Sequence, residues 1–269
     1  MTSPNDRYTH GHHESVLRSH SWRTIANSAA FLEPHLVSGQ KVLDVGCGPG
    51  TITLELGERV SPGLVKGIDR SADIIELAQQ NKGESKNSNV QFEVGDTYAM
   101  RFDDASFDVV YAHQILQHLT DPVAALREMR RVLTPGGLLA VRDSDYDSFV
   151  WYPENPSLTR WMNLYHEVTR ANGANDDAGR LLHSWVRQAG FSAMEVGSST
   201  WTFQTEGDRR WWGGLWADRV RSSAFAEQAL EYELSTPKEL EDIAHGFLEW
   251  AENDDGLFIV VHGEVLAWR

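Results

Sequence analysis

The segment Val42-Leu43-Asp44-Val45-Gly46-Cys47-Gly48-Pro49-Gly50 limits the choice of fold more than any other part of this chain. Residues 41–46 form an apolar run too short for a helix, which reads as a buried strand. The run ends in alternating glycines. Such residues let the backbone turn sharply and approach a ligand that a Cβ would hold off. Residues 51–60 then read as a helix, although Thr51, Thr53 and Gly57 weaken the pattern. The free N–H groups at its start favour a carboxylate or phosphate. A second strand follows at 64–69, so the loop sits inside a strand–helix–strand unit rather than in an isolated turn.

The alternation continues along the chain. Ser71 can cap a helix over 72–82 whose apolar face is Ile74, Ile75, Leu77 and Ala78. Strands are predicted at 89–94 and 107–112. Asp121 followed by Pro122 marks a helix start, and Thr134-Pro135-Gly136-Gly137 marks its stop before a strand at 138–143. Beyond 145 the spacing predicts helices over 157–172 and 177–190, a strand over 193–204, helices over 207–230 and 236–251, and a last strand over 258–268. Upstream, residues 1–21 are polar without a clear period, whereas Trp22, Ile25, Ala29 and Leu32 predict an amphipathic helix over 22–37. The fold class is α/β, with a doubly wound, mostly parallel sheet and a helical insertion before the last strand. One domain is expected over 1–269: an N-terminal cover (1–37), a ligand-binding core (38–145), acceptor-side helices with the insertion (146–256) and the final strand (257–269).

Which ligand the loop accepts depends on charge and spacing. A dinucleotide fingerprint, G-x-G-x-x-G, would need glycine at 51, where this chain has Thr51. Asp44, two residues before the first glycine, would repel a pyrophosphate but suits an ammonium group. A ligand with an amino acid end satisfies both the acid and the loop amides. Asp69 closes the second strand, where a carboxylate can accept from both hydroxyls of a ribose. Asp96, after the third strand, could accept from an exocyclic amine such as that of adenine. Each acid alone could be a cap or a solvated loop residue. All three at the carboxyl ends of successive strands lie where open sheets bind ligands.

The chain carries 24 Lys+Arg against 39 Asp+Glu, a net charge of −15, which argues against binding nucleic acid or an anionic membrane. No run approaches the roughly 18 apolar residues of a spanning helix, and the first residues lack the apolar stretch of a signal peptide. The single cysteine, Cys47, excludes an intrachain disulfide and a four-cysteine zinc site. Cytoplasm is the expected compartment, and a homodimer is compatible with the sequence.

VLDVGCGPG at 42–50, GID at 67–69, GD at 95–96, FDVVYAHQILQHLTDP at 107–122 and LREMRRVLTPGGLLAV at 126–141 resemble the class I S-adenosylmethionine-dependent methyltransferases. The nearest flavour is the small-molecule subgroup that includes the ubiquinone and menaquinone C-methyltransferases. The resemblance implies a seven-stranded Rossmann-like sheet with an antiparallel last strand, S-adenosyl-L-methionine as cofactor, and a small-molecule acceptor. That acceptor would be quinone-like, aromatic or lipidic, methylated at carbon or oxygen. It implies that Asp44, Gly46, Gly48 and Gly50 hold the methionine end, that Asp69 binds the ribose, and that Arg70 lies beside the adenosine. Asp96 would meet the adenine amine, Thr97 would supply a neighbouring backbone contact, and Ile68 and Tyr98 would flank the ring. His113 would lie near the methionine portion and the sulfonium.

Methyl transfer needs the acceptor aligned with the methyl–sulfur axis and, for many acceptors, a base. His113 and His118 follow the fourth strand and are the catalytic candidates, with a helix-end role the plainer reading of His118. Asp143, Asp145 and Tyr146 follow the fifth strand at the same edge. In this fold the segment before the first strand commonly folds over the cofactor, so Tyr8, His12, His20 and Arg23 are expected to line the site, Arg23 as a contact for an anionic group. A metal role for His10, His12 and His13 is set aside, because spacing fixes no further ligand and no metal site is expected. Trp201, Trp211, Trp212 and Trp216 would form core or an aromatic lid, with Trp212 a substrate contact. Two other readings remain: a catalytically silent cofactor-binding subunit and a nicotinamide-dependent oxidoreductase, the latter disfavoured by Thr51 and Asp44.

Overall fold

The computed structural model describes residues 6–11, 13–83 and 88–269. In chain order, α1 (Glu14–Ser21) leads to β1 (Val42–Val45), α2 (Thr51–Val60), β2 (Val65–Asp69), α3 (Ala72–Gly83), β3 (Val90–Val94), β4 (Phe107–His113), α4 (Pro122–Val132) and β5 (Leu133–Ser144). The second half adds β6 (Val150–Tyr152), α5 (Pro156–Ala171), α6 (Ala178–Gln188), β7 (Ala193–Phe203), α7 (Glu206–Ser222), α8 (Ala224–Glu231), α9 (Pro237–Ala251) and β8 (Leu257–Trp268). No helix among the described residues is long and apolar enough to cross a membrane.

Strands β3, β2, β1, β4 and β5 run parallel in that order. β8 pairs antiparallel with β5, and β7 covers the other edge of β8 along its whole length. The short β6 pairs with residues 257–259 of β8, beyond the stretch that β5 occupies. It therefore prolongs the place of β5, and the sheet is seven positions wide although it has eight strands.

Helices on both faces explain why β1 and β4 are almost continuously apolar. Their side chains still alternate. Val42, Val109 and Tyr111 join a core with Ile52, Leu56 and Ile75, whereas Leu43, Val45 and Val110 pack on the other side with Leu126, Met129 and Val186. Asp44 and His113 break these apolar runs, and both sit near the edge where the parallel strands end. A third core is aromatic: Trp161, Trp212, Trp216, Phe247, Trp250 and Phe258 interlock between α5, α7, α9 and the last strands. Most of the late tryptophans are therefore structural.

Three local expectations fail for identifiable reasons. Residues 22–37 do not form one helix. A π-helical turn (Ile25–Ala29) and a 3₁₀ turn (Glu33–His35) replace it, because Thr24 and Asn27 cap each other's backbone and Pro34 has no N–H to continue a ladder. The upstream segment instead contains α1, capped by the His13 ring rather than by a conventional cap residue. The predicted 207–230 helix breaks at Ser223, whose hydroxyl donates to the Arg219 carbonyl and accepts from the Phe225 N–H.

Candidate active site

The parallel strands deliver their chemistry at one edge. After β1 the chain turns through Gly46, Gly48 and Gly50, all with φ between +55° and +83°. The Gly46 and Cys47 N–H groups both donate to the Ile68 carbonyl, at 2.8 and 3.0 Å, which ties the loop to the end of β2. At Gly48 an added Cβ would find nothing nearer than the His20 ring at 3.8 Å, so its bare face looks into open space. Gly50 differs: a Cβ there would fall 2.5 Å from the Phe92 ring. Gly50 does not line the cavity, so its role is close helix–strand packing and a left-handed turn, not ligand contact.

Asp44 is 3% exposed and accepts from the Thr53 hydroxyl at 2.6 Å. Burial first, with Asp69 adding to it, pushes its carboxyl up to about 7 against the pull of that hydrogen bond. No cation pairs with it among the described residues. Asp69 accepts from the Gly48 N–H (3.3 Å) and the Ser71 N–H (3.0 Å). Arg70 donates to the Asp6 carbonyl at 2.9 Å, which brings the N-terminal segment over this end of the site. Asp96 accepts from the Tyr98 N–H, and the neighbouring Thr97 hydroxyl is buried without a partner.

These residues share one cavity of about 1350 Å³, which Ile68 and Tyr98 also line. Ligand pockets commonly measure roughly 300–1,000 Å³, so there is room for a nucleoside-sized molecule and a second one. The first side of the cavity fits the implied cofactor. It offers a buried acid without a counter-ion, a glycine-opened backbone, a carboxylate ending β2, and an unpartnered hydroxyl beside the acid that follows β3.

His113 lies between the two sides. It is 5% exposed, and neither ring nitrogen has a partner. Burial, then the Arg23 and Arg142 charges, holds its pKa well below the ordinary value, so the ring is neutral. The residue after it, Gln114, has φ +53°, and its side chain joins three groups. It accepts from Arg23, and donates to Ser144 at 2.6 Å and to the His262 ring at 2.8 Å. A non-glycine residue in that conformation carries strain, which this network holds in place.

The second side is aromatic. Tyr8, Arg23, Trp212 and Tyr146 line it as the sequence suggests, together with His118, Trp201 and Trp216, while His20 lines the cavity where its ring lies nearest Gly48. His118 stands at the end of a 3₁₀ turn (Leu116–His118), 4.8 Å edge-on from Tyr8. Burial drives its pKa to about 3, and Arg23 and Arg219 act in the same direction. This ring is too weakly basic to be the general base expected of it. Tyr8 is pushed up to about 12, chiefly by burial.

Other expected contacts lie elsewhere. Asp143 is behind the wall, accepting from the Gln117 N–H at 3.1 Å, and burial pushes it up to about 8. Asp145 is taken up by Arg180. Trp211 packs on Phe203 and Trp22, off the cavity. His12 falls outside the described residues. His13 caps α1, and His10 faces the cavity while bonding the Tyr165 hydroxyl at 2.9 Å. Gln114, Tyr111 and Arg219 are wall residues that sequence reasoning missed. Tyr111 and Gln114 sit in and just after β4, within a segment already singled out for His113, and Arg219 comes from α7, where no motif marks it.

Comparisons with known proteins point to one family and fold. A methyltransferase-domain family model matches residues 36–190. An uncharacterized methyltransferase of Schizosaccharomyces pombe is 32% identical over 99% of this chain and 98% of its own length. A demethylmenaquinone methyltransferase of Lactococcus lactis is 34% identical over 59% of this chain and 68% of its own. Among solved structures, the YcgJ protein of Bacillus subtilis superposes with a TM-score of 0.58 at 20% identity, covering 89% of this chain and 97% of that one.

Proposed function

The chain belongs to the class I S-adenosylmethionine-dependent methyltransferases, and on that premise we propose that it methylates a flat or lipid-like small molecule at oxygen or carbon. One observation carries the reading: the cofactor side and an aromatic side are halves of the same cavity, with His113 between them. S-adenosylmethionine supplies an electrophilic methyl group on a sulfonium. The rest of the work falls to this chain's side chains and backbone.

Asp44 holds the ammonium and the Gly46–Gly48 backbone the carboxylate of the methionine end. Asp69 holds the ribose, with Arg70 beside the adenosine. Asp96 and Thr97 meet the adenine edge between Ile68 and Tyr98. Trp201, Trp212 and Trp216 exclude water and orient the acceptor, and positioning of this kind can contribute roughly 7–11 kcal/mol. His113 presents a neutral ring to the reacting centre and His118 an equally neutral one to the acceptor. Burial keeps both rings neutral, which favours an acceptor that enters already ionised.

Calorimetric titration tests this. S-adenosylmethionine and S-adenosylhomocysteine are expected to bind and NAD not to bind. Asp69→Ala should weaken binding about tenfold, the loss of one or two good hydrogen bonds. Radiolabelled methyl transfer into apolar metabolite fractions should yield a product. Binding of NAD in preference to the other two ligands would overturn the reading.

A further inference from the structure

We infer that the acceptor is an aromatic carboxylic acid bound as its anion, with the carboxylate held between Arg23 and Arg219. The inference rests on the methyltransferase reading of the cavity and adds the charge and class of the acceptor.

Two guanidiniums line the aromatic side, Arg23 from the segment after α1 and Arg219 from α7. Arg219 is 4% exposed. The other two buried arginines each have a carboxylate: Arg142 pairs with Glu264 at 3.1 Å and Arg209 with Asp254 at 3.4 Å. Among the described residues, neither Arg219 nor Arg23 has one. Arg219 gives one nitrogen to the Ser15 carbonyl and the Ser19 hydroxyl, at 3.3 and 3.0 Å, and Arg23 donates to Gln114. The Nε of each is buried and unpartnered. A desolvated cation lacking acceptors is costly unless something else supplies them.

The buried carboxylate that feels the Arg23 charge, Asp143, is pushed up to about 8 by burial and so is mostly protonated at neutral pH. The groups that bear most on Arg23 are Tyr8, Arg219, Tyr111 and Arg142, and those on Arg219 are Tyr146, Tyr8, Tyr165 and Arg18. None is a carboxylate. The acids on the cavity wall are Asp44, Asp69, Glu93 and Asp96 at the β1–β3 ends, and Asp6, which accepts from the Thr120 N–H and hydroxyl at 2.8 and 2.7 Å. In a chain of net charge −15, this half of the cavity is a local inversion of sign. Both arginines also lie over indoles, Arg23 5.6 Å from the Trp201 centroid and Arg219 4.6 Å from that of Trp216. Planar forks beside flat apolar walls match a planar carboxylate on an aromatic body.

The test uses protein saturated with S-adenosylhomocysteine and an isosteric pair of probes, 2-naphthoate and 2-naphthamide, titrated at pH 7.5 with tryptophan fluorescence as readout. The acid should bind at least tenfold tighter than the amide. Arg23→Gln and Arg219→Gln should each bring that preference to within about threefold while leaving S-adenosylhomocysteine affinity unchanged. Arg219→Lys, which keeps the charge, should retain part of the preference and covers the case in which Arg219→Gln does not fold. Equal binding of the two probes, binding of neither at millimolar concentration, or a preference that survives both glutamine variants would overturn the inference and leave the methyltransferase reading standing. Failure of the wild-type chain to bind S-adenosylhomocysteine would instead overturn that reading, and the inference with it.

Discussion

If Asp44 meets the cofactor ammonium as proposed, cofactor binding should release a proton. In the ligand-free cavity its carboxyl is pushed up to about 7 from an ordinary 3.8, mainly by burial. An ammonium group brought beside it would supply the missing counter-charge and return it to the ionised form. About half a proton should then leave on binding at pH 7, and about nine-tenths at pH 6. Because only the ionised form pairs, affinity should fall roughly 50-fold from pH 7 to pH 5, near the limit of tenfold per pH unit, and change less than about twofold from pH 7 to pH 8. His113 and His118 are neutral throughout this range, held there first by burial, and do not mask the effect. The assay is titration with S-adenosylhomocysteine in phosphate and in a buffer of high ionisation enthalpy, at several pH values. The difference between the two apparent enthalpies gives the protons released. Asp44→Asn should abolish both the release and the pH slope. An unchanged slope in that variant, no buffer dependence in the wild type, or affinity that rises as pH falls would refute the reasoning.

The loop glycines should separate by function. Gly48→Ala places a methyl group into the cavity at φ +55° and should weaken cofactor binding about tenfold or more, whereas Gly50→Ala drives a Cβ to 2.5 Å from Phe92 and should mainly lower Tm. Thermal denaturation and calorimetry on both variants check this, and the reverse assignment would count against the placement of Gly50. Asp143 gives a second pH prediction. Its folded pKa, raised to about 8 by burial, lies above the unfolded value, so folding holds the proton more tightly and stability is lost as pH rises from about 4 to 8. Asp143→Asn should therefore raise Tm by about 3 °C or more at pH 8 and change little near pH 4. A gain that is the same at both pH values would show that the carboxylate charge is not its source.

That Asp44, Asp69, Asp96 and His113 would meet in one cavity was legible because their placement is local. Asp44, Asp69, Asp96 and His113 each end or nearly end a strand whose apolar pattern marks it, and parallel topology sends all those ends to one edge. The same logic overreached at Gly50. Its place in the G-x-G-x-G spacing says nothing about which side of the loop meets Phe92. It also overreached at Asp143 and Asp145, where being next to a strand end did not decide whether the carboxylate faced the cavity, the Gln117 amide or Arg180. The N-terminal helix escaped because a histidine ring caps it, and the 22–37 periodicity misled because Thr24, Asn27 and Pro34 each divert the backbone.

The aromatic side was legible only in part: Tyr8, Arg23, His118, Tyr146 and Trp212 were expected there, whereas Gln114, Tyr111 and Arg219 were not. Trp212 and Arg219 share one face of α7, but Tyr8 and Arg23 come from the beginning of the chain and His118 from the turn after β4, so no spacing relates these three groups to one another. Only the long connection between β7 and β8, folded back across the sheet, brings α7 against α1 and makes one wall of them. Chain separation also sets the polarity of the cavity. Asp44, Asp69, Glu93 and Asp96 come from the early parallel strands, beside Lys66, Arg70 and Arg101, and Arg23 and Arg219 from the N-terminal segment and the insertion. Between them lies His113, uncharged, where a sulfonium would face acids on one side and cations on the other. An anion on the cationic side removes the repulsion that a positively charged methyl donor would otherwise meet there, and at low dielectric that removal counts for much more than in water. On the proposed reading the second molecule would be chosen by charge as well as by shape, through Arg23 and Arg219, which come from separate parts of the chain.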